Sequence, residues 1–168
     1  MSELHLIAHN VRSAHNIGSL LRTAEGLGVG KVWISGYSPY PLLTPDTRLP
    51  HIARRVHAQI SKTSLGAEDM IAWEHTDDVL QLITSLQRGG FTVAALEQAP
   101  GAQSLPAYKP PSKLALVVGR EVEGIEQEVL AACDLALEIP MAGRKESFNV
   151  AQAAAMALYH LSLVGPQL

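Results

Sequence analysis

The sequence predicts an α/β domain: a mostly parallel β-sheet with helices on both faces. Three observations carry this. Short, near-continuous apolar runs such as Leu4–Ala8, Phe91–Leu96 and Leu114–Val118 read as strands buried on both sides. Segments with apolar residues at helical spacing alternate with them, the pattern of strand–helix–strand units. The chain's 168 residues, 47% hydrophobic and 17% charged, are enough for one full core and are ordinary for a soluble α/β protein. A single domain over 1–168 is therefore expected, without repeats, low-complexity tracts or linkers.

Each element has its own signal. After the strand Leu4–Ala8, a polar loop from His9 to His15 leads to a helix from Asn16, where Ile17, Leu20, Leu21, Ala24 and Leu27 form one apolar stripe. On its other side Gly18 and Ser19 precede Arg22 by one turn and Gly26 follows it, leaving room around the guanidinium. A plain surface Arg22 paired with Glu25 explains the same residues. Gly26, Gly28 and Gly30 match GxGxG, but they close a helix and precede the strand Lys31–Ser35. A dinucleotide turn does the reverse, so these glycines read as a helix C-cap and turn. Gly36–Pro50, with four prolines, is a loop, and 51–60 a helix. Ile71–His75 is a strand, Asp77 or Asp78 starts a helix that Gly89-Gly90 ends, and the strand Phe91–Leu96 follows. Beyond Leu114–Val118, a short helix over Glu126–Ala132 leads to a strand that Pro140 stops. A polar elbow over Ala142–Glu146 then precedes a long helix, with Ser147 the better N-cap candidate and Asn149 the alternative. From Val150 to Val164 that helix is so rich in alanine and larger apolar residues that most of its circumference is expected to be buried.

Composition excludes several classes. No apolar run reaches the roughly 18 residues of a membrane helix. Acidic Glu3 and the absence of a basic leader argue against secretion. A lone cysteine, Cys133, precludes a disulfide framework and suits a reducing cytoplasm. It reads as a small buried residue rather than a nucleophile. A net charge of −3 argues against broad polyanion binding, but the charge is uneven. Arg48, Arg54, Arg55 and Lys62 lie between Asp46 and Glu68 with no acid among them, either a nucleic-acid footprint or a solvated helix face. The seven histidines form no persuasive metal cluster, so no metal is expected. Gly119 and Gly124 lack the Lys-Ser/Thr pair of a phosphate loop, and no GxSxG elbow is present.

Ligands in such folds collect outside the carboxyl ends of strands, which singles out the loops after Leu96, Val118 and Ile139. Gly119 follows its strand directly, so a flat ligand can meet backbone there. Ser147 and Asn149 stand at a helix start, where free amides point outward.

Three segments then carry a resemblance. Asn16-Ile-Gly-Ser-Leu-Leu-Arg-Thr-Ala24 is similar to the first motif of the SpoU family of RNA 2′-O-ribose methyltransferases, within the SPOUT superfamily. Val118-Gly-Arg-Glu-Val-Glu-Gly-Ile125 resembles the second. Ile139-Pro-Met-Ala-Gly together with Ser147-Phe-Asn-Val-Ala151 resembles the third, with Phe148 where leucine or methionine is more usual. The order is the family's, and the motifs span most of the chain.

The resemblance implies a C-terminal trefoil knot (the SPOUT fold), a homodimer, S-adenosylmethionine as cofactor and RNA, with tRNA favoured, as substrate. Carried over by position, Leu96, Glu97, Gly119, Ile139 and Phe148 line the cofactor pocket, and Asn16, Arg22, Glu121, Ser147 and Asn149 form the catalytic constellation. Ser147 and Asn149 suit positioning of a ribose hydroxyl, an effect worth roughly 7–11 kcal/mol when complete. A guanidinium stays protonated in proteins and is a poor base, so Arg22 is better suited to holding phosphate and stabilising alkoxide. Glu121 is expected to orient Arg22 or accept the proton. With no room for a separate RNA-binding domain, Arg48, Arg54, Arg55 and Lys62 are the candidate RNA contacts. A silent RNA- or cofactor-binding module, or a base N-methyltransferase of related fold, are the competing readings. A silent module fits less well because Asn16, Arg22, Ser147 and Asn149 are all present.

Overall fold

A computed structural model describes residues 3–164. The chain runs β1 (Glu3–His9), α1 (Ala14–Gly26), β2 (Lys31–Ser35), α2 (Pro50–Ser64), β3 (Trp73–Thr76), α3 (Val79–Arg88) and β4 (Thr92–Leu96). It continues through β5 (Gln103–Ser104), β6 (Lys113–Val118), α4 (Gln127–Ala132), β7 (Leu135–Glu138) and α5 (Val150–Val164). Seven strands form one parallel sheet in the order β3-β2-β1-β6-β4-β7-β5. Among the described residues no helix is long and apolar enough to cross a membrane.

Side chains alternate between two cores, as the pleat requires. Leu6, Ala8, Ile34, Leu116 and Val118 pack with α1, Ile60 of α2, and Ala154, Ala157, Leu158 and Leu161 of α5. Ile7, Val93, Ala95, Ala115 and Val117 pack with Val79, Leu82, Ile83 and Leu86 of α3 and Val129 of α4. The expected α/β architecture with both faces covered is the one observed.

Several local expectations need correction. The two-residue edge strand β5 was not anticipated, because Gln103-Ser104 carries no apolar pattern and exists only by pairing with β7. The strand expected from Ile71 begins at Trp73. Helix α1 starts two residues before Asn16, because the Ser13 Oγ accepts from the Asn16 N–H at 3.2 Å. Helix α5 begins after Asn149, not Ser147. The Asn149 Oδ1 accepts from the Ala151 and Gln152 amides at 2.9 and 3.4 Å, so Asn149 is the N-cap. Nor does α5 bury most of its circumference: one stripe is buried, whereas Met156 and Tyr159 are 39% and 58% exposed.

Gly18 also plays a different part from the one its spacing suggested. A Cβ there would lie 2.1 Å from the Thr63 Oγ1 and 2.3 Å from the Ile60 carbonyl oxygen. The missing side chain makes room for α2, not for a ligand of Arg22. Nothing lies within 4 Å of a Cβ built at Gly26. Gly18→Ala is therefore expected to lower the Tm by about 4–8 °C, the effect of roughly 2 kcal/mol of overpacking at this size. Gly26→Ala is expected to leave it unchanged or raise it by a degree or two. Thermal unfolding of the two variants checks the contrast.

Candidate active site

A cavity of about 300 Å³ opens beyond the carboxyl ends of β4, β6 and β7, at the low end of the range for small-molecule sites. Leu96, Gly119, Ile139 and Phe148 line it, with Glu97 and Ser147 at its wall. The elbow after Pro140 contributes Met141 and Glu146. Gly119 is buried, and a Cβ there would lie 2.6 Å from the Ile125 side chain. Glycine is required because the loop from Gly119 to Ile125 folds back on itself. Arg120 and Gly124 form an antiparallel bridge across it, and the Arg120 Nε donates to the Gly124 carbonyl at 3.0 Å. Gly124 has φ +72°, a conformation that other residues rarely adopt.

Three carboxylates hold this loop. The Glu97 Oε2 accepts from the Ile125 N–H at 2.9 Å and its Oε1 from the Gln98 N–H at 3.0 Å. Glu97 thus shapes the cavity wall with its carboxylate committed to backbone. Glu126 accepts from the Asn10 Nδ2 at 2.8 Å and lies 3.3 Å from the ring of buried His9. The His9 Nδ1 hydrogen-bonds the Ser35 hydroxyl at 2.9 Å, and burial depresses its pKa, keeping the ring neutral at pH 7.

Glu121 reaches the start of α1 instead. Its oxygens accept from the Arg12 amide at 3.2 Å, the Ser13 amide at 3.1 Å and the Asn16 Nδ2 at 3.2 Å. Burial raises its pKa, but the Ser13 and Arg12 amides outweigh that, and the carboxyl lies below its ordinary value. The Asn16 Oδ1 in turn accepts from the Asn149 Nδ2 at 3.3 Å. Glu121, Asn16 and Asn149, distant in sequence, therefore form one hydrogen-bonded chain beside the cavity. Ser147 lies on the cavity wall two residues before Asn149.

Arg22 is not brought to this cluster. It lies six residues beyond Asn16, about 9 Å along the helix and on another face. It is exposed and does not line the cavity, and its side chain has no hydrogen bond or ion pair among the described residues, with Glu25 or otherwise. The expected orientation of Arg22 by Glu121 is absent, because that carboxylate is turned to Asn16 and the two amides.

The basic segment divides. Arg54, Arg55 and Lys62 are exposed on α2. Arg48 is not available in the same way. Its guanidinium donates to both Asp46 oxygens at 2.9 and 2.6 Å and to the Tyr40 and Pro41 carbonyls at 2.8 Å each, and it stacks 3.7 Å from the Tyr40 ring. Arg48 braces the proline-rich loop. Cys133 is partly buried, and desolvation and Asp134 push its thiol up to about 12, which leaves it inert as a nucleophile. Among the described residues no group of three or more His, Cys, Asp or Glu could hold a metal.

This fold, with a cavity at the strand ends walled by Gly119 and the elbow before α5, defines a class. The chain belongs to the SpoU rRNA methylase family, whose model matches residues 3–159. A protein of Staphylococcus aureus assigned to the TrmH family of tRNA/rRNA methyltransferases is 31% identical over 156 residues, covering 93% of this chain and 57% of the relative. The chain thus spans little more than half the length of that relative. Among solved structures, an AdoMet-bound rRNA methyltransferase from Sinorhizobium meliloti superposes with a TM-score of 0.77 at 21% identity, over 96% of this chain and 56% of that one. A protein solved for insight into the 2-OH methylation of C/U34 on tRNA gives 0.74 at 26% identity, covering 95% and 94%.

Glu121→Gln is expected to lower the Tm at pH 7 by about 2–4 °C, the effect of roughly 1 kcal/mol at this length. The Glu121 carboxyl is depressed on folding, so its stabilisation is present above the unfolded value of 4.5 and lost as pH falls through the folded one. The difference between wild type and variant in thermal melts should therefore shrink steadily below pH 4.5.

Proposed function

We propose that this protein transfers a methyl group from S-adenosylmethionine to a ribose 2′-hydroxyl of RNA, with tRNA the favoured substrate. The observation that carries the proposal is the meeting of all three motif segments at one site. Gly119, Ile139 and Phe148 line a single cavity beside the hydrogen-bonded chain from Glu121 through Asn16 to Asn149. The protein solved for 2-OH methylation, matched over nearly its whole length, supports the same reading.

The residues fit the cofactor. Leu96, Ile139 and Phe148 offer apolar walls for a planar base, beside Gly119, whose lack of a side chain lets Ile125 close the loop behind the cavity. The carboxylates at the mouth, Glu138 and Glu146 among them, suit a cationic sulfonium. When bound, S-adenosylmethionine supplies an activated methyl group. The protein then has to place the ribose hydroxyl in line with that methyl. Asn149 and Ser147 would do so by hydrogen bonding, and Asn16, itself held by Glu121, fixes the Asn149 amide. The Glu121 carboxylate is occupied by three donors, so its role is to hold the first motif against the second rather than to act as a base.

We infer also a homodimer and a C-terminal trefoil knot. The exposed apolar side chains Met156, Tyr159 and Val164 of α5 support self-association. Since Arg22 does not reach its own chain's cavity, its part in catalysis is played across the dimer, holding phosphate and stabilising the developing alkoxide. Exposed Arg54, Arg55 and Lys62 of α2 are the proposed contacts to RNA outside the site.

The direct test is incubation of the protein with S-adenosylmethionine and tRNA, followed by nucleoside mass spectrometry. A 2′-O-methylated nucleoside is expected; a methylated base instead would overturn the proposal. Arg22→Ala is expected to abolish transfer while cofactor affinity by calorimetry is kept. Co-expressing Arg22→Ala with Asn149→Ala should restore about one quarter of wild-type activity, because half the dimers then hold one complete site. No restoration would place Arg22 outside the partner's site. Reversing Arg54 and Arg55 to Glu should weaken RNA binding at low salt by more than tenfold; unchanged affinity would remove α2 from the interface.

A further inference from the structure

The mouth of the cavity is acidic, and RNA is a polyanion. Glu97, Glu121, Glu123, Glu138 and Glu146 line the cavity against one arginine, Arg120. Arg120 is already engaged with the Gly124 carbonyl and lies 3.6 Å from Glu126. Lys145, on the elbow, is paired with Glu146 at 3.0 Å. Like charges a few ångströms apart near a protein surface repel. A phosphodiester delivered to Asn16 and Asn149 therefore needs a free cation beside them.

The backbone of Arg12 is anchored next to that site, four residues before Asn16. Its backbone N–H is bound to the Glu121 Oε2 at 3.2 Å, while the other oxygen of the same carboxylate holds Ser13 and Asn16. Arg12 thus shares its anchor with the first residue of the hydrogen-bonded chain. The segment around it is fixed on every side. Val11 is fully buried and its N–H donates to the Ser38 Oγ at 2.8 Å. The Asn10 side chain links Glu126 at 2.8 Å to the Tyr37 amide at 3.0 Å, and Ser13 caps α1. With its backbone held so firmly, the Arg12 side chain is exposed and has no ion pair or hydrogen bond among the described residues. It does not close onto Glu121, whose oxygens are taken by amides.

We infer that Arg12 is a second phosphate contact of the site, supplied by the same chain as the cavity and additional to Arg22 from across the dimer, binding through its guanidinium the RNA backbone phosphate next to the ribose presented to Asn149. The inference rests on the methyl-transfer reading above. A guanidinium presents paired donors that match two phosphate oxygens. Because the supporting backbone is already ordered, binding costs little beyond fixing the side chain. Arg12 lies outside the basic run of the sequence, and only the bond from its amide to Glu121 brings it to the site.

The test compares wild type, Arg12→Ala and Arg12→Lys on an RNA that the wild-type protein methylates. RNA affinity is measured across a salt series, KM and kcat at one salt, S-adenosylmethionine affinity by calorimetry and Tm by thermal melt. Arg12→Ala should bind RNA roughly three- to tenfold more weakly at low salt, with KM raised in proportion. Its plot of log affinity against log salt should be shallower by about 0.7–0.9, the signature of one lost phosphate contact. Arg12→Lys should keep the wild-type slope while losing part of the affinity, and neither variant should change cofactor affinity or Tm. An unchanged affinity and slope in Arg12→Ala would overturn the inference, as would a loss of RNA affinity accompanied by a fall in Tm or cofactor affinity. A wild-type protein that methylates no RNA ribose overturns the underlying reading instead, whereas equal slopes in an active protein remove Arg12 alone.

Discussion

The grip of Glu121 on the start of α1 is the contact on which the site depends. One carboxylate accepts from two backbone amides and the Asn16 side chain, and so joins the loop after β6 to the loop after β1. These strands are neighbours in the sheet, with Ala8 opposite Val118, but neighbouring strands do not by themselves align the loops beyond their ends. Charge-assisted hydrogen bonds to backbone are short-range and directional, which is what alignment requires. Through Asn16 the alignment is passed to Asn149, and so to the cap of α5.

Glu97 and Glu126 complete the support from either side. Glu97 holds the Ile125 amide from β4, and Glu126 ties the start of α4 to Asn10 and His9 at the end of β1. The loop from Gly119 to Glu126 is thus braced by carboxylates at three points, two of which reach back to the segment before α1. A loop so held forms its cavity wall before any ligand arrives, reducing the ordering cost of binding. The cost of the arrangement is an acidic rim, suited to a cation and unsuited to a nucleic acid without a compensating arginine.

Much of this was legible in the sequence. The strands and helices followed from apolar runs and helical spacing, and Gly119 from its place directly after a buried strand. Other residues kept their role hidden. Gly18 looked like clearance for a ligand, yet its open side is filled by the α2 backbone. Arg48 looked like part of a basic footprint, yet Asp46, two residues before it, takes its charge inside a loop. Ser147 looked the better cap, yet Asn149 caps α5 because the helix begins only at Val150. In each case the sequence supplied the residue type, and the partner came from elsewhere in the chain or from a loop conformation that no periodicity encodes.

What the sequence determined by itself was therefore the layered α/β plan, because burial patterns are local; the three motif segments were picked out by their resemblance to the SpoU family. What only the tertiary structure decided was how those segments meet. Glu121 turns to Arg12, Ser13 and Asn16 rather than Arg22; Asn149 both caps α5 and meets Asn16; and Arg22 faces away from its own cavity. These outcomes are set by hydrogen-bond geometry between loops more than a hundred residues apart, where distance and direction choose the partner and residue type does not.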